Sequence, residues 1–134
     1  MNIHPYITYK DDCAEAFQTY ARIFGGEVVF VQNFSDAPGS GETPPHLADK
    51  VMHARVQLGG NILMGSDSFD PDTYASPIGV SVQCGFDDFD KAKAVFDALS
   101  EGGEVSMPFA ATFWAKGFGM LTDRFGVPWM LNVD

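Results

Sequence analysis

Two side chains able to grip or protonate a ligand stand two positions apart in the run Val51–Leu58: His53 and Arg55. Residues two apart share one face of a strand. That alternation gathers Met52, Ala54, Val56 and Leu58 on an apolar face and His53, Arg55 and Gln57 on a polar one. If the apolar face covers a helix, His53 and Arg55 turn toward a cavity or solvent. A histidine there holds a hydrogen bond or exchanges a proton near neutral pH, or is an ordinary surface imidazole. An arginine there forks onto a carboxylate or phosphate, or pairs with one of the chain's 18 acids. Phe113 and Trp114 offer flat faces to a planar ligand, with core packing as the plain alternative. Asp123 reads as a turn former. No nucleophile–base pair is legible, so catalytic residues stay unassigned and enzymatic activity stays open.

The elements that position these residues follow a simple order. Residues 2–10 alternate around Ile3, Ile7 and Tyr9, which predicts a first strand, with Pro5 suiting an edge. Asp11-Asp12 then caps a helix carrying Cys13, Phe17, Tyr20, Ala21 and Phe24, and Gly25-Gly26 stops it. Strands follow at 27–31, 51–58 and 62–64, with a long Pro- and Gly-rich loop over 33–48 that suits a lid or a binding loop, with a merely mobile loop as the plain alternative. Residues 67–76 read as a linker.

Beyond it the order repeats. Ile78, Val80, Val82 and Cys84 alternate as a strand, and Asp87-Asp88 precedes a helix with Phe89, Ala92, Phe96 and Leu99. The stretch 112–132 predicts two strands joined by the turn Thr122–Gly126. Gly25-Gly26-Glu27-Val28 recurs as Gly102-Gly103-Glu104-Val105, 77 positions on, and Asp11-Asp12 recurs as Asp87-Asp88, 76 positions on. Two matching offsets point to a duplicated βαβββ unit, 1–66 and 77–134, in an α+β fold.

Composition narrows the function classes. The 134 residues are 46% apolar, enough for a core. A net charge of −10 argues against nucleic acid and against anionic membrane surfaces. No apolar run reaches the length of a membrane span, and the start lacks a signal-peptide pattern. Cys13 and Cys84 sit in apolar contexts and read as buried thiols of a cytoplasmic protein.

The string Phe113-Trp114-Ala115…Gly117-Phe118-Gly119…Asp123…Phe125-Gly126-Val127-Pro128-Trp129, with Pro5-Tyr6, Cys13-Ala14-Glu15-Ala16-Phe17 and Met52-His53-Ala54, resembles the PhnB-like branch of the glyoxalase/bleomycin-resistance superfamily, also called vicinal oxygen chelate proteins. The resemblance covers essentially the whole chain. It implies two curved mixed sheets around a cavity with helices outside, and a homodimer. Many members of the superfamily bind one divalent metal through four residues, two per half. Carried over, those positions fall near His4, Met64, Gly79 and Met130, and one residue of slippage brings in no better ligand.

Within that fold His4 and His53 would stand on strands flanking a third, roughly 9–10 Å apart. The resemblance therefore implies a cavity lined by His53, Arg55, Phe113, Trp114 and Met130, holding a small hydrophobic or aromatic molecule without the usual metal tetrad. The alternative is a metal-dependent lyase, isomerase or dioxygenase with a non-standard ligand set including His4 and His53. Branch members often carry a methyltransferase label. The usual methyltransferase needs a Gly-rich loop between a strand and a helix, and Gly117-Phe118-Gly119 precedes no helix pattern.

Overall fold

A computed structural model describes residues 1–37 and 41–134. The middle of the long loop therefore lies outside the described residues. The chain divides into two compact units, 1–75 and 76–134. The first contains β1 (Tyr6–Tyr9), α1 (Cys13–Phe24), β2 (Glu27–Asn33), β3 (Val51–Leu58) and β4 (Asn61–Asp67). The second contains β5 (Val82–Phe86), α2 (Phe89–Ser100), β6 (Glu104–Ala110), β7 (Gly117–Thr122) and β8 (Pro128–Val133). Each forms one four-stranded mixed sheet, in the orders β1-β4-β3-β2 and β5-β8-β7-β6. Identical order, with one parallel and two antiparallel pairings in each, is the duplicated βαβββ fold. No described helix is long and apolar enough to cross a membrane.

In the first unit α1 buries Cys13, Ala16, Phe17 and Tyr20, a stripe at 3–4 spacing. It ends where Gly25 turns left-handed at φ 69°. The stripe lies against the β4 face that carries Leu63 and Gly65. A methyl group at Gly65 would stand 2.8 Å from Phe17 Cζ and 2.9 Å from the Ile7 carbonyl oxygen, so only glycine fits. With Gly65 against the helix, Met64 and Ser66 face the other way. The second unit repeats the device: a methyl at Gly119 would stand 2.7 Å from Phe96 Cε2, and Trp129, Leu131 and Val133 are buried on β8.

The two helices start differently. Asp88 caps α2, its Oδ1 accepting from the N–H groups of Asp90 and Lys91. Asp12 makes no side-chain cap to α1, against expectation. The first N–H of α1, at Cys13, instead donates to Asp67 Oδ1 at 2.9 Å, while Val51 N–H donates to Asp67 Oδ2 at 2.8 Å. A buried carboxylate from β4 thus anchors the start of α1 and the start of β3 together.

Several sequence-based boundaries shift. β1 spans four residues rather than 2–10, and Ile3 is exposed. β5 begins at Val82, and Ile78 and Val80 are exposed. Between them Gly79 sits at φ 77°, outside extended backbone, and pairing with the partner strand β8 begins at Val82 with Trp129. β3 does not alternate throughout: Gln32 pairs with His53 and Asn33 with Val51, leaving Met52 as an extra, bulged residue. The bulge reverses the phase, so Val51 is buried and Met52 leaves the helix-facing side. The predicted loop from 33 opens with a short 3-10 turn, Phe34–Asp36, that buries Phe34. The predicted strand over 112–116 is a turn closed by the Thr112 N–H to Ala115 carbonyl bond.

The Asp67 anchor makes a stability prediction. Asp67→Ala strands two buried N–H donors and is expected to cost roughly 2–4 kcal/mol in urea unfolding. Asp88→Ala, at an exposed cap, is expected to cost about 1 kcal/mol. Equal losses would show that the Asp67 bonds contribute no more than a surface cap.

Candidate functional site

The first unit's sheet has one face on α1 and one face open. Directly paired residues project from the same face. Tyr6 pairs with Met64, Met64 with Arg55, and Arg55 with Phe30, so these four form one row across all four strands. His53 sits one step along β3 from Arg55, paired with Gln32.

The row is held by contacts among its own members. The Tyr6 and His53 rings stack at 5.6 Å and 16°. Phe30 lies on the other side, 5.7 Å from the His53 ring. Arg55 Nε donates to His53 Nε2 at 3.1 Å, and its guanidinium carbon stands 5.4 Å over the Phe30 ring. His53 Nδ1 and the Tyr6 hydroxyl are 3.3 Å apart.

These bonds determine where the protons are. Arginine has only donors, so His53 Nε2 must accept with its lone pair. The imidazole is then neutral, with its proton on Nδ1, and Nδ1–H donates to the Tyr6 oxygen. The Tyr6 hydroxyl proton stays free to point outward. Partial burial, and then the Arg55 charge, lower the His53 pKa from its ordinary value, in keeping with a neutral ring.

Beside this row lies an open cleft of about 440 Å³ within the same unit. Tyr6, Met52, Phe34 and Phe69 give it apolar walls, Thr8 and Ser66 give it hydroxyls, and the acidic residues Asp67 and Asp70 line its end away from Arg55's row. His53 and Arg55 are not among its lining residues; Tyr6 is the residue common to cleft and row.

The structure therefore brings together the expected His53 and Arg55. It does not bring His4 to them: His4 precedes β1 and is exposed, and Tyr6 occupies the place beside His53. The expected Phe113, Trp114 and Met130 belong to the second unit. Phe113 is 96% exposed on the 112–116 turn, in contact with Trp114, which packs edge-on against Phe118. Met130 lies on the open face of β8, paired with Gln83 and Met120, and Met120 pairs with Met107. Asp123 is a turn former: its buried carboxylate accepts from the N–H groups of Phe125 and Val127 and from Trp129 Nε1.

Sequence reasoning missed Tyr6, Phe30, Met52, Phe34 and Phe69. Tyr6 alternates with Ile7 and Tyr9 and was legible as pointing away from the helix. The pairing of Phe30 with Arg55 follows from a bulge at Val29, where the register shifts, and no residue type announces it. Burial raises both thiols, that of Cys84 to about 11 and that of Cys13 further, so neither is a ready thiolate nucleophile at neutral pH.

A pH titration followed by NMR checks the His53 assignment. Its midpoint is expected below the ordinary value of about 6.5, and Arg55→Met is expected to move it back up. Because the folded ring takes up its proton at lower pH than the unfolded one, stability is retained above the ordinary midpoint. It falls as pH drops from there toward the lowered one. An elevated midpoint would contradict the neutral ring.

Comparison with known proteins agrees with this architecture. The sequence model of the family described as 3-demethylubiquinone-9 3-methyltransferase matches residues 1–132. Protein YjdN of Escherichia coli (strain K12) is 33% identical over 141 residues, covering 99% of this chain and 95% of that protein. The crystal structure of PA1353 from Pseudomonas aeruginosa is 41% identical with a TM-score of 0.90, covering 100% of this chain and 98% of that one. The PhnB protein from Bacillus cereus, 24% identical, shares the fold at a TM-score of 0.86 over the full length of both chains. The fosfomycin resistance protein FosX from Listeria monocytogenes, 10% identical, shares it at 0.66 over 100% of this chain and 93% of its own. A family match running from the first residue to 132, on a duplicated βαβββ frame, means that the chain belongs to the family described as 3-demethylubiquinone-9 3-methyltransferase, in the PhnB-like branch of the glyoxalase/bleomycin-resistance superfamily.

Proposed function

We propose that the protein binds a small hydrophobic or aromatic molecule at the open face of its first unit, with no metal in the site. The observation that carries this reading is the position of Tyr6. Its ring walls the 440 Å³ cleft, and its hydroxyl is tied through His53 to Arg55. A cleft of this size suits a drug-sized molecule, and apolar walls with a few fixed polar groups are the usual make-up of such sites.

The donor set does not fit the superfamily's metal. Met64 and Met130 offer thioether sulfur, and the residues paired beside them are Tyr6 and Gln83. None of these is a normal ligand for zinc, nickel or iron. Among the described residues no three His, Cys, Asp or Glu side chains cluster as a metal set. The alternative set built on His4 and His53 is disfavoured by the same geometry. A metal needs a ring lone pair, and the lone pair of His53 is engaged by a cationic guanidinium.

Methyl transfer is disfavoured by the strand-to-helix junctions. Lys10-Asp11-Asp12 joins β1 to α1 and Asp87-Asp88 joins β5 to α2. Both are acidic and glycine-free, where a nucleotide-like cofactor needs a glycine-rich turn. Gly117-Phe118-Gly119 opens strand β7 and leads to no helix.

Thermal shift with a panel of aromatic ligands tests the reading. Ligands are expected to raise the melting temperature equally with and without chelator, and His53→Ala, which releases the Tyr6 hydroxyl and the Arg55 fork from their fixed positions, is expected to weaken binding by roughly 1–3 kcal/mol. Stabilisation that disappears on chelation would replace this reading with the metal-dependent one.

We also propose a homodimer. β2 is an edge strand of its sheet and exposes Val29 and Val31, an edge that a partner would cover. Light scattering at micromolar concentration is expected to give twice the chain mass; a monomer mass would count against it.

A further inference from the structure

We propose that this site selects small aromatic carboxylic acids, the carboxylate docking on the Arg55 amino groups while Tyr6 donates to a second polar group of the ligand. The inference rests on the binding reading above and adds the ligand's charge.

Arg55 is an uncompensated cation in an acidic protein. The chain carries 18 acids against 8 lysines and arginines, yet Arg55 makes no ion pair with a described carboxylate. Its Nε–H is spent on a neutral imidazole, which contributes orientation and no charge. The four remaining N–H groups of the fork keep their positive charge. The bond to His53 on one side and the Phe30 ring beneath hold the guanidinium plane. A fork already oriented loses less entropy when a carboxylate arrives.

The neighbouring groups fit the rest of such a ligand. Tyr6 has an outward hydroxyl proton, because its oxygen already accepts from His53 Nδ1–H. Tyr6 and Phe30 offer ring faces on either side of the imidazole, and Met64 lies between Tyr6 and Arg55 in the row. An aromatic body therefore lies across apolar side chains while its two polar ends meet donors. A cationic ligand would meet the Arg55 charge, and a neutral one would leave that charge unmatched.

Isothermal titration of the full chain with 2-naphthoate, 2-naphthamide and 6-hydroxy-2-naphthoate tests this. The acid is expected to bind about tenfold or more tightly than the amide, the usual worth of a charge-assisted fork. Arg55→Met is expected to remove the gap, and Arg55→Lys to restore part of it, each variant first shown to melt as the parent does. Tyr6→Phe is expected to remove any advantage of the hydroxy acid over the plain acid. Equal binding of acid and amide by the parent would overturn the inference while leaving aromatic binding intact. Failure of all three probes to bind at millimolar concentration would overturn both. A gap that survives Arg55→Met would place the anion elsewhere and overturn the assignment to this residue.

Discussion

A buried carboxylate at the end of β4 sets the geometry of the first unit. Asp67 is 4% exposed, and its two oxygens accept from the first N–H of α1 and the first N–H of β3. A buried charge is tolerable only when its lone pairs are filled, and backbone donors fill them without the entropy loss of a long side chain. The negative charge also faces the positive end of the α1 dipole. Once Asp67 is turned inward, strand alternation turns Gly65 toward Phe17 and Met64 and Ser66 outward. The open face is thus a consequence of what the other face must satisfy.

The second unit reaches the same topology by another route. Val133 stands at the end of β8, where the first unit has Asp67 at the end of β4, and α2 is capped by its own Asp88. The buried carboxylate there is Asp123, which closes the β7–β8 turn and holds the Trp129 indole. The open rows diverge in step. Tyr6, Met64, Arg55 and Phe30 cross the first sheet, and Gln83, Met130, Met120 and Met107 cross the second. One row has a fixed cation and a hydroxyl donor. The other has three thioethers that adapt to shape and carry no charge. Duplication kept the frame, and the two faces took on different chemistry.

Much of that frame was legible because it depends on local rules. The 3–4 spacing of Cys13, Phe17 and Tyr20 and the repeated Gly-Gly-Glu-Val stops need no tertiary information. The alternation from Ala54 to Leu58 placed His53 and Arg55 on the open face, where they are. What failed was set by partners distant in sequence. Strand ends at Ile3 and Ile78 depend on where pairing with the neighbouring strand starts, at Tyr6 with Met64 and at Val82 with Trp129, and the Met52 bulge depends on the register of β2. Asp12 has the right type to cap α1, yet it makes no cap, and the carboxylate that holds the helix start is Asp67, which takes the Cys13 N–H from 54 positions away. Tyr6 looked like an ordinary strand residue, because its role comes from a ring stack with a residue 47 positions on.

The same hydrogen bonds that would make the first unit an anion receptor make it a poor metal receptor. A metal ligand must present a lone pair, and a site for a divalent cation gathers negative charge around it. Here the imidazole spends its acceptor nitrogen on Arg55 and its proton on Tyr6, so it presents neither a lone pair nor a proton to a ligand. Its effect is on its neighbours. It holds the Arg55 guanidinium over Phe30, and by filling the Tyr6 oxygen it leaves that hydroxyl as a donor. The outward groups of this row are donors. Donors are matched by oxyanions and carbonyls.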